Sequence, residues 1–495
     1  VPVYPKRPHN VLNMTYDAKL HWGRVDALLV AMVTLAYGAL ALCNLGSTKA
    51  PQRPWKSTDA TEQVVLDLGA HYDDFRMLYF SQVSYSDFSV AVSEDGEQWS
   101  AEYWAEMAQG DCFRWMYLTP STVNASGGRT YDGYGAPQSL SGRYVRITAQ
   151  QIGLILDEVI FRLEDQTVLP VSVVGQYNAN TNSTLYSDAA YLVDEQNTLE
   201  GEPSWYNGTY FDEIYHARTG FELMNGTTIY EWTHPPLGKV FMSWCISIFG
   251  MTPFGWRFAG CMAGILMLPA MYLLGKQLTK RRDIAFLAMS LMALDCMHLT
   301  QTRIATIDSF PVLFIILSCL FMLRFMQRDI MSPMKQLVPD LALSGLFISL
   351  GIASKWICLY AGAGLAVLYF WTCARHLRLA KEAGQLAPTV DVQIRPALEK
   401  RSQETLTRLL WLCLWCVLFF VVLPVTVYLL SYIPQMACYG RLSFGEFLQK
   451  VIKVQQDMYN YHSTPGLGMD HPFYSPWYEW PLIKRPMYFA SDRYV

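Results

Sequence analysis

A series of long apolar runs, broken once by a polar stretch from 46 to about 233, constrains this chain more than any other feature. A run of roughly 20 apolar residues makes a helix long enough to cross the hydrocarbon core of a bilayer. The first such run, 25–45, follows Lys6, Arg7, Lys19 and Arg24. It is longer than a signal-peptide core, and no small-residue cleavage site follows it. Apolar runs return at 237–251 and recur as far as 432. Charged residues make up only 16% of the 495, against about 25% in soluble domains. An all-soluble enzyme and a disordered chain are therefore both excluded.

Charge orients the runs. Residues 46–233 hold 26 acids and 10 bases, a net of −16, whereas the remainder holds 16 acids and 28 bases, a net of +12. Cytoplasmic loops carry the excess of Lys and Arg. Three basic segments qualify: 276–283 (KQLTKRRD), the loop flanked by Arg324, Arg328 and Lys335, and 375–408. All three fall on one side only if one run between 45 and 276 does not cross. The segment 237–251 is short and follows His-Pro-Pro, so it is expected to lie in the outer interface. Seven spans remain: 25–45, 256–275, 284–300, 304–326, 340–354, 357–373 and 409–432. This topology expects a cytoplasmic N-terminus (1–24), a polar domain on the outside, an outer loop at 170–255, six spans within 256–432 and an outer tail at 433–495. The chain is expected to be a piece of a longer protein.

Inside the polar stretch, VVLDLG (64–69), DFSVAV (87–92) and RYVRIT (143–148) alternate apolar and polar residues, with turn signals such as Glu94-Asp95-Gly96 between them. Short strands separated by turns point to a β-sandwich over 56–169. The order VVLDLG, FSVAVSEDGEQW, GRYVRIT, LDEVIF resembles discoidin-like jelly rolls, and no ligand residue can be assigned in it. The eleven cysteines lie mostly in apolar runs, so no disulfide framework is visible. Cys413 and Cys416 have CxxC spacing inside a lipid-like run and read as apolar filler. Sequons occur at Asn13, Asn124, Asn182, Asn207 and Asn225, which chance in a polar sequence accounts for. No basic block for nucleic acid and no metal-ligand spacing are present.

Three groups of residues could carry chemistry. Asp212-Glu213 with His216 precedes the segment Glu231-Trp232-Thr233-His234-Pro235-Pro236-Leu237-Gly238-Lys239. A carboxylate there can act as general base toward a hydroxyl, although a solvated loop is the simpler reading. Arg257, Asp295, His298, Arg303, Asp308 and Lys355 lie in or beside spans, where ionisable groups are costly and mark function or buried pairing; Asp295 and His298 could simply partner one another. The aromatic segment 471–482, beginning at His471, reads either as an interfacial belt or as a sugar-stacking surface.

The ordered motifs FDEIYHARTGFE, EWTHPPLGK, FGWRFAG, TRIATID, GIASKWICLYAG and HPFYSPWYEWPLIKRP resemble the protein O-mannosyltransferase family over about 204–490. The resemblance implies a polytopic α-helical membrane protein of the C-type glycosyltransferase class, here with an all-β jelly-roll domain inserted in the first outer loop. It implies inverting mannosyl transfer from a polyprenyl-phosphate donor to Ser/Thr hydroxyls of secreted or membrane proteins. It further implies Asp212 and Glu213 as catalytic residues, Arg257, Lys239, Arg303 and His234 around the lipid phosphate, and Asp308, Lys355 and His471 in support. Partners are then the donor lipid, an acceptor polypeptide and the bilayer, with no nucleic acid. No cofactor is required, with a divalent metal left open, and the active site is expected on the extracytoplasmic face of the cell membrane. Transfer to a lipid or cell-wall glycan, and a non-enzymatic glycan receptor, are the alternatives.

Overall fold

The computed structural model describes residues 20–84, 86–107, 112–119, 122–123, 129–130, 136–178, 187–467, 469, 474–482 and 484–485. The chain folds as two compact units: one comprises 44–221, 243–257 and 468–495, the other 1–43, 222–242 and 258–467.

The first unit is built on β-strands: β1 (Gln63–Phe80), β2 (Phe88–Ser93), β3 (Tyr103–Ala105), β4 (Trp115–Tyr117), β5 (Leu140–Ala149), β6 (Glu158–Arg162) and β7 (Ser172–Tyr177). Strand β1 serves two half-sheets. Its first part pairs antiparallel with β5 and β7, Val65 facing Arg146 and Gly175. Its second part pairs antiparallel with β6 and β4, Leu78 facing Ile160 and Tyr117. The register breaks between Asp67 and Phe75, where Gly69 adopts φ +79, a conformation open to glycine without steric cost. Residues of both half-sheets, among them Val64, Leu66, Met77, Ile147 and Phe161, enter one core. Val159, Ile160 and Phe161 are all fully buried, so β6 shows no alternation. The domain also runs past the expected limit of 169: β7 joins the sheet, and Ala189 and Leu192 join the core.

The helices are α1 (Arg24–Leu42), α2 (Glu213–Asn225), α3 (Leu237–Phe249), α4 (Pro253–Thr279), α5 (Arg282–Ala293), α6 (Cys296–Arg303), α7 (Ser309–Met326), α8 (Met334–Ser354), α9 (Cys358–Leu386), α10 (Arg395–Val417), α11 (Leu423–Ser431) and α12 (Phe444–His462). Among the described residues, five helical stretches are long and apolar enough to cross a membrane: α1, α4, α7, α8 and the rod 395–439. The number is six if α5 and α6, bent by 57° at their junction, form one span. Helix α9 starts apolar but carries Arg375, His376, Arg378, Lys381 and Glu382 in its second half, and is outside that set. Helix α3, of 13 residues, is about 20 Å long, short of the roughly 30 Å hydrocarbon core.

The breaks have local causes. Asp295 caps α6, accepting from Met297 N at 2.9 Å, while His298 Nδ1 meets Tyr37 Oη at 2.9 Å. Pro424 has no N–H to give the carbonyl four residues back. The ladder slips there to a π-turn over Leu418–Val422, with Leu423 N bonding Leu418 O. Gly345 of α8 lets that turn approach, since a Cβ would lie 2.5 Å from Phe419 O.

Ion pairs close both ends of the antiparallel hairpin α7–α8. Lys355 bonds Asp308 at 2.5 Å at one end, and Arg328 bonds Asp340 at 2.5 Å at the other. Arg303 Nη2 donates to Cys43 O at 2.7 Å. Cys43, Arg303, Asp308 and Lys355 thus mark one end of the helical unit. Arg328, Arg375 and Arg401 mark the opposite, basic end.

Candidate active site

The expected site residues divide between the two units. In the first, the segment 204–213 leads into α2. Asp212 immediately precedes α2, and its carbonyl accepts from Tyr215 N and His216 N, both at 3.1 Å. Asp212 is half-buried and His216 buried. Phe211, just before it, has φ +50. A bulky residue with positive φ stores about 1–3 kcal/mol and persists only where its surroundings hold it.

Arg257 does much of that holding. Its Nε and Nη2 grip Glu213 Oε1 and Oε2, both at 2.7 Å. Nη1 donates to Leu45 O at 3.0 Å, and Nη2 also reaches Trp205 O at 2.7 Å and Gly208 O at 2.9 Å. Trp256 Nε1 donates to Glu213 at 3.3 Å, and the guanidinium lies 5.1 Å from the Tyr210 ring centroid. Arg257 is 1% exposed and Glu213 fully buried. Arg257 spends its guanidinium on Glu213 and three carbonyls rather than presenting it to a lipid phosphate, and Glu213 is a buried counter-ion rather than an open base. Together they tie the loop before Asp212 to α4.

The β-strands support the same loop. Arg162 Nη1 donates to Gly201 O at 2.7 Å, and Tyr117 Oη donates to Glu202 at 2.6 Å. Thr209 N bonds Phe113 O at 3.0 Å. Asn207 is buried, with Nδ2 donating to Glu200 O at 3.0 Å and Glu202 O at 2.8 Å. Its side chain is a loop strut, whereas Asn225 of α2 is exposed.

In the helical unit, Lys239 is fully buried. Its Nζ donates to Glu231 Oε2 at 2.5 Å, Glu231 O at 2.9 Å and His234 O at 3.0 Å. Three donors meet three acceptors, so the ammonium fastens the loop 231–239 instead of facing a phosphate as expected. His234 is half-buried and stacks on His462, ring centroids 5.2 Å apart. His462 Nε2 lies 2.8 Å from Thr233 O. Trp356 Nε1 donates to Tyr428 Oη at 2.9 Å, which donates to Gln455 at 2.5 Å. Helix α12 therefore holds the His-Pro-Pro segment, a role absent from the sequence reading. The signal was available in the capping box Ser443…Glu446 ahead of an apolar-periodic stretch. His471 lies outside the described residues.

A group of carboxylates with metal-ligand spacing also occurs in the first unit: Glu158, Asp194 and Glu195. Asp194 already pairs with Arg53 at 2.5 Å. Glu158 takes Glu195 N at 2.8 Å, and Glu195 takes Gln52 N at 2.8 Å. Burial pushes the Glu158 carboxyl up to about 9 and that of neighbouring Asp157 up to about 8.

The segment carrying Asp212, Glu213, Lys239 and Arg257 lies within residues 203–439, which match the profile of the family described as dolichyl-phosphate-mannose-protein mannosyltransferase. Mannosyltransferase relatives include the polyprenol-phosphate-mannose–protein mannosyltransferase of Mycolicibacterium smegmatis (strain MKD8), 23% identical over 59% of this chain and 60% of its own length. That of Mycobacterium tuberculosis (strain CDC 1551 / Oshkosh) is 22% identical over 57% of this chain and 58% of its own. That of Corynebacterium glutamicum is 25% identical over 52% and 53%. The chain spans about 60% of the length of the first of these relatives. A solved structure of the S. cerevisiae protein O-mannosyltransferase Pmt1-Pmt2 complex bound to the sugar donor aligns with a TM-score of 0.38 and 18% identity, over 46% of this chain and 30% of that one. The mannosyltransferase match and the apolar helices make this chain a polytopic α-helical membrane protein with an inserted all-β domain. Helix α12 begins beyond the matched region, yet its His462 contacts Thr233, His234 and Trp356 inside it.

Proposed function

We propose that this chain carries the donor-side machinery of an inverting mannosyltransferase, which moves mannose from a polyprenyl-phosphate carrier to Ser/Thr hydroxyls of proteins on the extracytoplasmic face. The observation that carries this reading is the placement of Asp212: half-buried, at the N-terminus of α2, beside a strained Phe211 and braced by the Glu213–Arg257 pair. The helix N-terminus favours the ionised carboxylate, which suits a base that must be deprotonated at neutral pH. In the reaction, Asp212 accepts the hydroxyl proton as the acceptor oxygen bonds to the anomeric carbon from the face opposite the phosphate. The C1–O bond to the phosphate breaks, and the lipid phosphate leaves with its electron pair. Cations near that phosphate stabilise its growing charge.

The families of the relatives support the donor class, and the buried Glu213–Arg257 pair supports a site that must be rigid. A general base contributes about 10²–10⁴-fold. Asp212→Asn is therefore expected to lower mannosyl transfer to a Ser/Thr-rich peptide by that factor, with donor binding retained. Full turnover by this variant would remove Asp212 from the mechanism.

A further inference from the structure

Of the residues expected around the donor phosphate, Arg257 engages Glu213, Lys239 engages Glu231 and Arg303 engages the Cys43 carbonyl, while the supporting Lys355 pairs with Asp308. Two further lysines stand beside the His-Pro-Pro segment. Lys450 and Lys453 of α12 rim a cavity of about 400 Å³ whose other walls include Ile229 and Trp232 of that segment, Met436 and Tyr439. The Lys450 ammonium lies 3.6 Å over the Tyr439 ring centroid. Glu446, one turn before it, is occupied by the N-cap, taking Ser443 N at 2.8 Å and Ser443 Oγ at 2.7 Å. Lys453 pairs with Asp457 at 2.7 Å, but that pair is exposed, with 69% and 36% of the two side chains accessible. Such a pair is worth less than about 1 kcal/mol and yields readily to a charged phosphate.

A second cavity, of about 620 Å³, adjoins the first and shares Met436 with it. Its lining is apolar: Leu429, Leu430, Ile433, Leu442, Phe444 and Phe447. Leu430, Ile433 and Phe444 are 57%, 55% and 72% exposed, at the end of the membrane-length rod 395–439. An apolar cavity beside a pair of cations complements a lipid phosphate, with the chain in the one and the headgroup at the other.

We propose that these joined cavities seat the polyprenyl phosphate of the donor, the isoprenoid chain between α11 and α12 and the phosphate at Lys450 and Lys453. The proposal rests on the donor reading above. It commits to the polyprenyl lipid over a bulk phospholipid because Trp232 and Ile229 bring the cationic cavity to the segment that Lys239 and His462 hold within the family-matched region. In this arrangement α12 supplies the phosphate-binding charge, and the buried arginine and lysine of the matched region shape the loops around it.

The test uses the full chain in nanodiscs of neutral phospholipid, with farnesyl phosphate as the probe and binding read by tryptophan fluorescence. Lys450→Gln/Lys453→Gln is expected to weaken farnesyl phosphate at least about 10-fold, with the binding of uncharged farnesol and the thermal unfolding midpoint both unchanged. Lys450→Arg/Lys453→Arg should restore the affinity. Equal affinity in wild type and the Gln variant overturns the proposal, as does competition by inorganic phosphate or phosphatidylglycerol at the same concentration. If the Gln variant folds and keeps the wild-type donor KM while Asp212→Asn is inactive, this assignment fails and the transferase reading stands. If Asp212→Asn transfers normally while the lysine variants lose farnesyl phosphate, the lipid site stands and the transferase reading fails.

Discussion

Replacing Arg257 by methionine separates a strut from a phosphate ligand. The substitution keeps most of the side-chain volume and deletes the charge, leaving Glu213 fully buried without its counter-ion. Breaking a buried pair from one side costs about 3–5 kcal/mol, because the remaining charge has no partner. The carbonyls of Leu45, Trp205 and Gly208 lose their donor as well, so the upper end of that range applies. For a unit of this size each kcal/mol lowers the unfolding midpoint by roughly 2–4 °C, which sets an expected fall of about 10–20 °C. Adding Glu213→Gln removes the stranded charge and should recover part of the loss. A double-mutant cycle by thermal unfolding in detergent, followed by circular dichroism and intrinsic fluorescence, measures the coupling, which should exceed about 1 kcal/mol. A midpoint unchanged in Arg257→Met, with a donor KM raised tenfold, would refute the reasoning and return Arg257 to the phosphate.

Acid should stabilise the β-domain. Burial raises Asp157 to about 8 and Glu158 to about 9, so the folded state holds protons that the unfolded state releases near pH 4. Stability from this source is complete below that pH and is lost as pH climbs through 8 and 9. His71, raised by its bonds to Asp73 and Glu94, acts with the same sign. The domain's unfolding midpoint is therefore expected to be higher at pH 5.5 than at pH 8.5, and a midpoint that rises over that interval would contradict it. Two glycines should part company under the same change. Gly345→Ala drives a Cβ to 2.5 Å from Phe419 O, whereas Gly364→Ala in α9 meets nothing within 4 Å. Differential scanning fluorimetry should show the first losing about 1–3 kcal/mol and the second losing none, helix propensity favouring alanine.

The helices were legible because the length of an apolar run is a local property, and each expected span contains helix. Their breaks were less so. The bend at Asp295 and the start of α7 at Ser309 depend on capping and on Ile304–Asp308 leaving the helix, which apolarity does not report. Strands β2 and β5 followed their alternation, but the continuous burial of β6 and the double use of β1 arise from tertiary pairing. Within the site, the residue types were readable and their partners were not. No pattern in FDEIYH or GWRFAG says that Glu213 and Arg257, 44 residues apart, neutralise one another out of water's reach. The burial of Lys239 was hidden for the same reason: an exposed cation and a buried one look identical in a sequence. Helix α12 was overlooked because it is amphipathic rather than apolar, and a search for membrane spans passes over it.

The β-domain and the loop that bears Asp212 are stitched together, by Arg162 to Gly201, by Tyr117 to Glu202 and by Phe113 to Thr209. The insertion is consequently no detachable ornament. An engineer wishing to transplant it would have to carry the segment up to Phe221 with it, since a cut near residue 170 would sever the scaffolding beneath the carboxylate it was meant to leave untouched.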